Sequence, residues 1–254
     1  MTVALPARAK LNLDLQVLKR RDDGFHEIRT RVQAVALHDV LEAAPAKRTT
    51  FQADGLPVPG GGDNIVLKAH AALEQATGRA LPTEFHLHKR IPPGAGLGGA
   101  SSDAATALRA LKIIHAVDSN QVEIARLARA IGADVPFFLT GGSALAERTG
   151  EHLTPMPTQP AWYAIAWPGI ELSTARVYAA WDETKGEPPN ELRRAAEHAD
   201  SRVRDFAERL GPDWQMTGSG SAFFKRCAGR EEGLNAIESL DCWTTVTHSV
   251  GTWA

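Results

Sequence analysis

Cysteine is nearly absent: the 254-residue chain has two, Cys227 and Cys242. Two thiols are too few for a metal–thiolate cluster or a disulfide framework, and they fit a reducing, cytoplasmic compartment. A large excess of charge is missing as well. With 28 Lys and Arg against 30 Asp and Glu, the formal net charge of −2 argues against a surface that coats nucleic acid. No apolar run reaches transmembrane length. The longest candidate, from Val135 to Ala146, is broken by Pro136 and by Gly141-Gly142. The opening residues, MTVALPARAKLNL, lack a basic segment followed by an apolar block and a cleavage site, so no secretory signal is expected. Internal repeats and low-complexity tracts are also missing. What remains is an ordinary globular composition, 43% hydrophobic and 23% charged, long enough for one large core or two modest ones.

Two periodicities alternate along the chain. Leu11, Leu13, Leu15 and Val17 alternate with Lys10, Asn12, Asp14 and Gln16, which predicts a half-buried strand with Lys10 and Asn12 on one polar face. An Asp-Gly turn follows, then extended runs over 28–37 and 49–53. Asp63 is the expected N-cap of a helix that runs to Thr77 and stops at Gly78. Phe85, Leu87 and Ile91 mark another alternating strand, and Ala104, Ala107, Leu108, Leu111 and Ile114 give helical spacing over 101–117. Asn120 with Glu123 has capping-box form for a further helix, which Gly132 ends. The stretch GEHLTPMPTQP is rich in turn formers and is the expected domain boundary, at 153/154. Beyond it come a strand, WYAIAW, helical patches near Ser173, Asn190, Ser201 and Arg230, and closing strands WQM, AFFKRC and WTTVTHSV. The expected class is α+β, in two α/β layers.

The stretch PPGAGLGGASSD, residues 92–103, carries the chemistry most openly. Gly94, Gly96 and Gly99 match G-x-G-x-x-G, but the acidic residue a dinucleotide fold needs would be Asp118, in a connection between helices. A Walker A loop is excluded because Ala100 and Ser101 follow Gly99 where lysine is required. Four glycines over residues 94–101 are costly to order, and a helix N-terminus directly behind exposed N–H groups is a ready anion site. Phosphate binding is the reading these residues support.

The same stretch resembles the phosphate loop of the GHMP kinases, a superfamily of small-molecule kinases. PARAKLNLDL at 6–15 and MTGSGSAFF at 216–224 resemble that family's N-terminal and C-terminal motifs. Within the family, RRDDGFHEI, GDNIV, GADVPFF and WPGIELSTARVY resemble the branch whose acceptor is a methylerythritol linked to cytidine diphosphate. The resemblance runs essentially end to end.

It implies two domains, 1–153 and 154–254, with ATP and acceptor held in a cleft, and transfer of the γ-phosphate to a tertiary hydroxyl. Asp134 is then the base and Lys10 the group that orients it and the acceptor oxygen. An ionised carboxylate suits a crowded alcohol, and a neighbouring ammonium keeps it ionised. Pro92, Pro93, Gly94, Ala95, Gly96, Leu97, Gly98, Gly99, Ala100, Ser101 and Ser102 would hold the ATP phosphates, with Asn64 and Lys89 lining the base pocket. Asn12, Gly218 and Gly220 would contact the acceptor, and His26 would pair with its cytosine. Phe25 stands where relatives generally carry tyrosine, so stacking survives but a phenolic contact is lost; Tyr178 is the second aromatic wall. Mg²⁺ is implied with ATP, with no side-chain ligand assigned. His86-x-His88 has strand spacing for two metal ligands, but no third is evident, so no metal site is expected there. Neither nucleic acid, membrane nor an obligatory protein partner is implied. A sister kinase acting on homoserine, mevalonate or a sugar, and a non-catalytic ligand sensor, are the competing readings.

Overall fold

The structure, a computed structural model, describes residues 1–118 and 124–253. The chain opens with β1 (Val3–Asn12), β2 (Gln16–Arg20), β3 (His26–Pro45) and β4 (Thr50–Gly55). A 3₁₀ turn at Gly61–Asp63 leads to α1 (Ile65–Thr77), then β5 (Thr83–Lys89), α2 (Gly99–Ile114), α3 (Ile124–Ile131) and α4 (Phe137–Thr140). Next come β6 (Ser143–Arg148), β7 (His152–Met156), β8 (Trp162–Trp167), α5 (Thr174–Thr184), α6 (Arg193–Ala199) and α7 (Ser201–Leu210). The chain ends with β9 (Gln215–Met216), β10 (Phe223–Cys227), α8 (Arg230–Ile237) and β11 (Trp243–His248). The mixed class expected from the periodicities is the one observed.

Two compact units divide these elements. The first comprises Met1–Ala9, Leu37–Pro93 and Gly98–Thr140; the second comprises Lys10–Ala36, Gly94–Leu97 and Gly141–Ala254. They interleave along the chain, unlike a single cut into 1–153 and 154–254. The cause is strand length: β1 and the 20-residue β3 each contribute residues to both units.

In the first unit β5 pairs parallel with β4 and antiparallel with residues 40–45 of β3. Burial alternates along β5, so Thr83, Phe85, Leu87 and Lys89 point inward. Helix α1 packs on α2, and α2 on α4. The N-cap of α1 is Asn64, not Asp63: the Asn64 Oδ1 accepts from the Val66 N–H at 2.9 Å, while Asp63 belongs to the 3₁₀ turn. Gly78 ends α1 in the left-handed region at φ 62°. Helix α2 departs from a one-sided stripe, since every residue from Ser102 to Leu108 is buried. Small side chains allow neighbours on all sides there. The capping-box pair Asn120 and Glu123 lies outside the described residues.

In the second unit β2 and β6 pair with the first part of β3, and β7 pairs with β6. A separate antiparallel sheet has the order β11-β8-β10-β9. Its inner face and α5–α7 bury one cluster containing Val177, Trp181, Leu192, Val203, Phe206, Trp214 and Phe223. Two expectations change here. The strand expected over 11–17 is split between β1 and β2, because the Leu13 N–H donates to the Arg31 carbonyl and the Leu15 N–H to the Pro189 carbonyl. The turn-rich boundary stretch holds strand β7, whose pairing with β6 supplies the order its composition does not.

Candidate active site

The glycine stretch links β5 to α2, and three of its glycines are left-handed: Gly94 at φ 60°, Gly96 at 78° and Gly98 at 72°. Only Gly adopts these angles without strain. Residues 94–97 pack within the second unit. The Lys10 N–H donates to the Leu97 carbonyl at 3.0 Å, and the Ala222 N–H to the Ala95 carbonyl at 3.0 Å. A Cβ on Gly96 would run into the Thr217 carbonyl oxygen and stand 3.1 Å from the Gly220 N and O. Ala95 and Leu97 are buried, so their side chains anchor the loop, while Gly94 is exposed and Gly96 and Gly98 are half-buried. From Gly98 the chain enters α2, and no side chain caps that N-terminus. Ser101 is half-buried there and Ser102 buried. The uncapped first turn leaves backbone N–H donors for an anion.

Lys10 and Asn12, at the end of β1, meet the same loops. Both are only 5% exposed, so the face they share is buried rather than solvated. The Lys10 ammonium donates to the Asn12 Oδ1. Asn12 donates its N–H to the Thr217 Oγ1 and its Nδ2 to the Thr30 Oγ1, each at 2.8 Å. A Cβ on Gly218 would lie 3.1 Å from the Asn12 Oδ1 and 3.3 Å from the Lys10 Nζ. The loop 217–220 is held from behind by Asn190, whose Nδ2 donates to the carbonyls of Met216 and Gly218 at 2.7 and 2.9 Å. Lys10, Asn12, Gly96, Gly218 and Gly220 are therefore one cluster. Thr30 and Asn190, which no motif contains, order it together with Thr217 of the C-terminal glycine motif.

His26 opens β3 and packs on α5. Its ring stacks on Tyr178 with centroids 5.1 Å apart, and meets Trp181 edge-on at 5.6 Å. Its Nε2 bonds Asp182 at 2.8 Å. That hydrogen bond holds the Asp182 carboxyl below its usual range, with the Arg20 charge, 3.4 Å away, adding to it. Tyr178 and Asp182 are four residues apart on one helical face, which is how both reach His26. Phe25, next to His26, is 65% exposed.

Lys89 is buried between two carboxylates. Its ammonium donates to Asp39 at 2.5 Å and to Asp103 at 2.7 Å. Asp39 also accepts from the N–H groups of Arg90 at 2.5 Å and Ile91 at 2.8 Å. Burial alone would lower the Lys89 ammonium, but the charges of Asp103 and Asp39 outweigh it and raise it above its ordinary value. Lys89 bonds the Asp103 Oδ2, the Oδ1 has no hydrogen-bond partner among the described residues, and burial pushes the carboxyl up to about 8 despite Lys89. The triad lies against the start of α2: a Cβ on Gly99 would stand 2.9 Å from the Lys89 Nζ.

Asn64 spends both ends of its amide locally, on the Val66 N–H and on the Pro59 carbonyl at 2.9 Å. Pro92 is buried and Ala100 exposed on the two sides of the loop. Asp134 lies half-buried in the turn between α3 and α4. The Val135 N–H donates to the Gly132 carbonyl and the Phe138 N–H to the Val135 carbonyl, both at 3.1 Å, so the backbone on either side of it is tied down.

Known proteins agree with this architecture. The family described as GHMP kinases N terminal domain matches residues 64–142. A 4-diphosphocytidyl-2-C-methyl-D-erythritol kinase from Halorhodospira halophila is 38% identical, over 92% of this chain and 88% of that one. One from Alcanivorax borkumensis is 34% identical, over 96% and 89%. The crystal structure of a 4-(cytidine 5'-diphospho)-2C-methyl-D-erythritol kinase superposes with a TM-score of 0.82 at 33% identity, over 98% of this chain and all of that one. The Methanococcus jannaschii mevalonate kinase, at 12% identity and a TM-score of 0.69 over 99% and 98% of the two chains, shares the fold. The chain thus belongs to the GHMP kinases and, within them, to the 4-diphosphocytidyl-2-C-methyl-D-erythritol kinase family.

Proposed function

We propose that this chain transfers the γ-phosphate of ATP to the C2 hydroxyl of 4-diphosphocytidyl-2-C-methyl-D-erythritol, giving the 2-phosphate and ADP, in isoprenoid precursor synthesis by the methylerythritol phosphate route. The observation that carries the acceptor assignment is the contrast in identity. Kinases of that name match at 38% along nearly the whole chain, whereas mevalonate and homoserine kinases match at 12% and 16%. Two free thiols and no disulfide among the described residues suit a cytoplasmic enzyme.

Phosphoryl transfer asks for positioning and charge stabilisation more than for covalent chemistry. The loop 92–102 takes the ATP phosphates on its backbone N–H groups and the N-terminus of α2. Asp134 takes the acceptor's hydroxyl proton, and the Lys10 ammonium holds the acceptor oxygen. Asn12 aims Lys10 through their hydrogen bond and, with Gly218 and Gly220, meets the acceptor. His26 reads the cytosine, flanked by Tyr178 and by the exposed ring of Phe25. On the base side Asn64 and Lys89 act through the backbone they order, since their polar side-chain atoms are already bonded. The functional halves we assign are 1–153, with the phosphate loop and Asp134, and 154–254.

Mg²⁺ would accompany ATP and neutralise phosphate charge. Hydroxyl groups at the start of α2, Ser101 and Ser102, suit a hard cation. Asp103 does not serve it, being buried and bonded to Lys89.

ADP release by the purified protein with Mg-ATP, across a panel of the cytidine compound, homoserine and mevalonate, tests the assignment. Turnover is expected with the cytidine compound alone; turnover of either other acceptor without it would overturn the reading. Asp134→Ala is expected to lose on the order of 10²–10⁴-fold in turnover. A folded, ATP-binding Asp134→Ala protein that keeps its activity would remove the base assignment.

A further inference from the structure

The outward face of the first unit's sheet carries a cluster that phosphoryl transfer does not use. Alternation along β5 turns His86 and His88 away from the buried face. Across the antiparallel pairing Glu42 of β3 stands opposite His86, and across the parallel pairing Asp54 of β4 stands opposite His88. Three neighbouring strands thus bring two imidazoles and two carboxylates to one patch. The two rings are 4.3 Å apart. Asp54 Oδ2 lies 2.8 Å from the His86 Nε2 and 2.9 Å from the His88 Nδ1, while Glu42 Oε1 lies 3.3 Å from the His88 Nε2. One ligand atom each from Glu42, His86 and His88 lies within 4.8 Å of the others.

We propose that Glu42, His86 and His88 bind a first-row divalent transition metal ion, for which Zn²⁺ is the best-fitting probe. Each ring can donate one N–H to Asp54, which leaves the His86 Nδ1 and the His88 Nε2 as lone-pair ligands, the latter already facing Glu42. Asp54 is then the carboxylate that sets both tautomers and ring orientations. Tetrahedral Zn²⁺ with ligands at about 2.0–2.1 Å needs them about 3.3–3.4 Å apart. The His88 Nε2 and the Glu42 Oε1 already have that spacing, at 3.3 Å, the half-exposed His86 ring turns to join them, and water fills the fourth position. Imidazole ligands select against Mg²⁺ and Ca²⁺, so the site is separate in its chemistry from the ion that accompanies ATP. A bound ion ties β5 directly to β3, and through Asp54 to β4.

Titration calorimetry with ZnCl₂ on the full chain, stripped of metal by chelator, tests this independently of kinase activity. The wild type should bind one more Zn²⁺ per chain than His86→Ala, His88→Ala or Glu42→Gln, and Asp54→Asn should weaken that site by about 10–100-fold. Saturating Zn²⁺, but not Mg²⁺, should raise the thermal midpoint by roughly 5–10 °C in the wild type and in none of the ligand variants. Binding near pH 5 should be weaker than near pH 7.5, as ligand protonation requires. Glu42→Gln keeps the test open should a histidine variant fail to fold. No saturable Zn²⁺ binding by the wild type, or binding of equal stoichiometry in the three ligand variants, would overturn the proposal.

Discussion

Lys89 shows how one residue can decide local stability. It is a cation buried with two carboxylates, so the cluster carries one negative charge unless a proton joins it. Asp39 receives three donors and Asp103 one, which makes Asp103 the group that takes the proton. Its folded-state value, about 8, lies above the unfolded 3.8. The sign follows: the folded state binds more protons between those values, so this contribution to stability is complete below 3.8 and is lost as pH rises towards about 8. Asp103→Asn should flatten that decline and leave the variant more stable than wild type near pH 8–9; thermal midpoints from pH 5 to 9 that run parallel would contradict it. Lys89→Met strands Asp39 as an unpaired buried charge and should cost about 3–5 kcal/mol in urea unfolding. The pairing of His26 with Asp182 predicts a kinetic effect instead. Asp182→Asn should raise KM for the cytidine acceptor by about tenfold with little change in KM for ATP, the size expected for one weakened hydrogen bond to a charged group.

At the scale of elements, the loop between β5 and α2 depends on backbone that side chains would block. Gly96 is left-handed and lies against the Thr217 carbonyl, so Gly96→Ala combines backbone strain with a collision against backbone that cannot rotate away. The displacement should cost on the order of 10²-fold in kcat/KM for ATP, as small misplacements in phosphoryl-transfer sites do. Gly211 makes the matched control: its φ is 82° and a Cβ there meets nothing within 4 Å. Gly211→Ala should therefore lose about 1–3 kcal/mol of stability and leave KM for ATP unchanged. Equal kinetic effects from both substitutions would show that conformation alone, not the close approach to 217–220, is what Gly96 supplies.

For the whole molecule, the two cysteines remain thiols, and burial raises both above their ordinary value. Reductant should leave the thermal midpoint unchanged, and Cys227, 6% exposed, should react with a disulfide reagent on the order of tenfold or more slowly than free cysteine until the protein unfolds. Much of this molecule is legible in its sequence wherever the controlling physics is local. Alternation marked β5, helical spacing and Gly78 marked α1, and the glycines of 94–99 marked the turn before α2, because each depends on residues a few positions apart. Reading failed where partners are distant. Asp39 reaches Lys89 across 50 residues, Asp182 reaches His26 across 156, and Thr217 reaches Asn12 across 205. Composition made β7 a turn-rich boundary, since only its ladder with β6 orders it, and put Lys10 and Asn12 on a polar strand face, which packing by residues from elsewhere buries. His86 and His88 were visible as a pair, but the carboxylates beside them come from strands that only sheet register brings alongside. The class, the family and the glycine turn at 94–99 follow from local pattern alone. Tertiary structure decided which charges are buried together and which side chains share a face, because strand pairing and burial are set by contacts that no local pattern encodes.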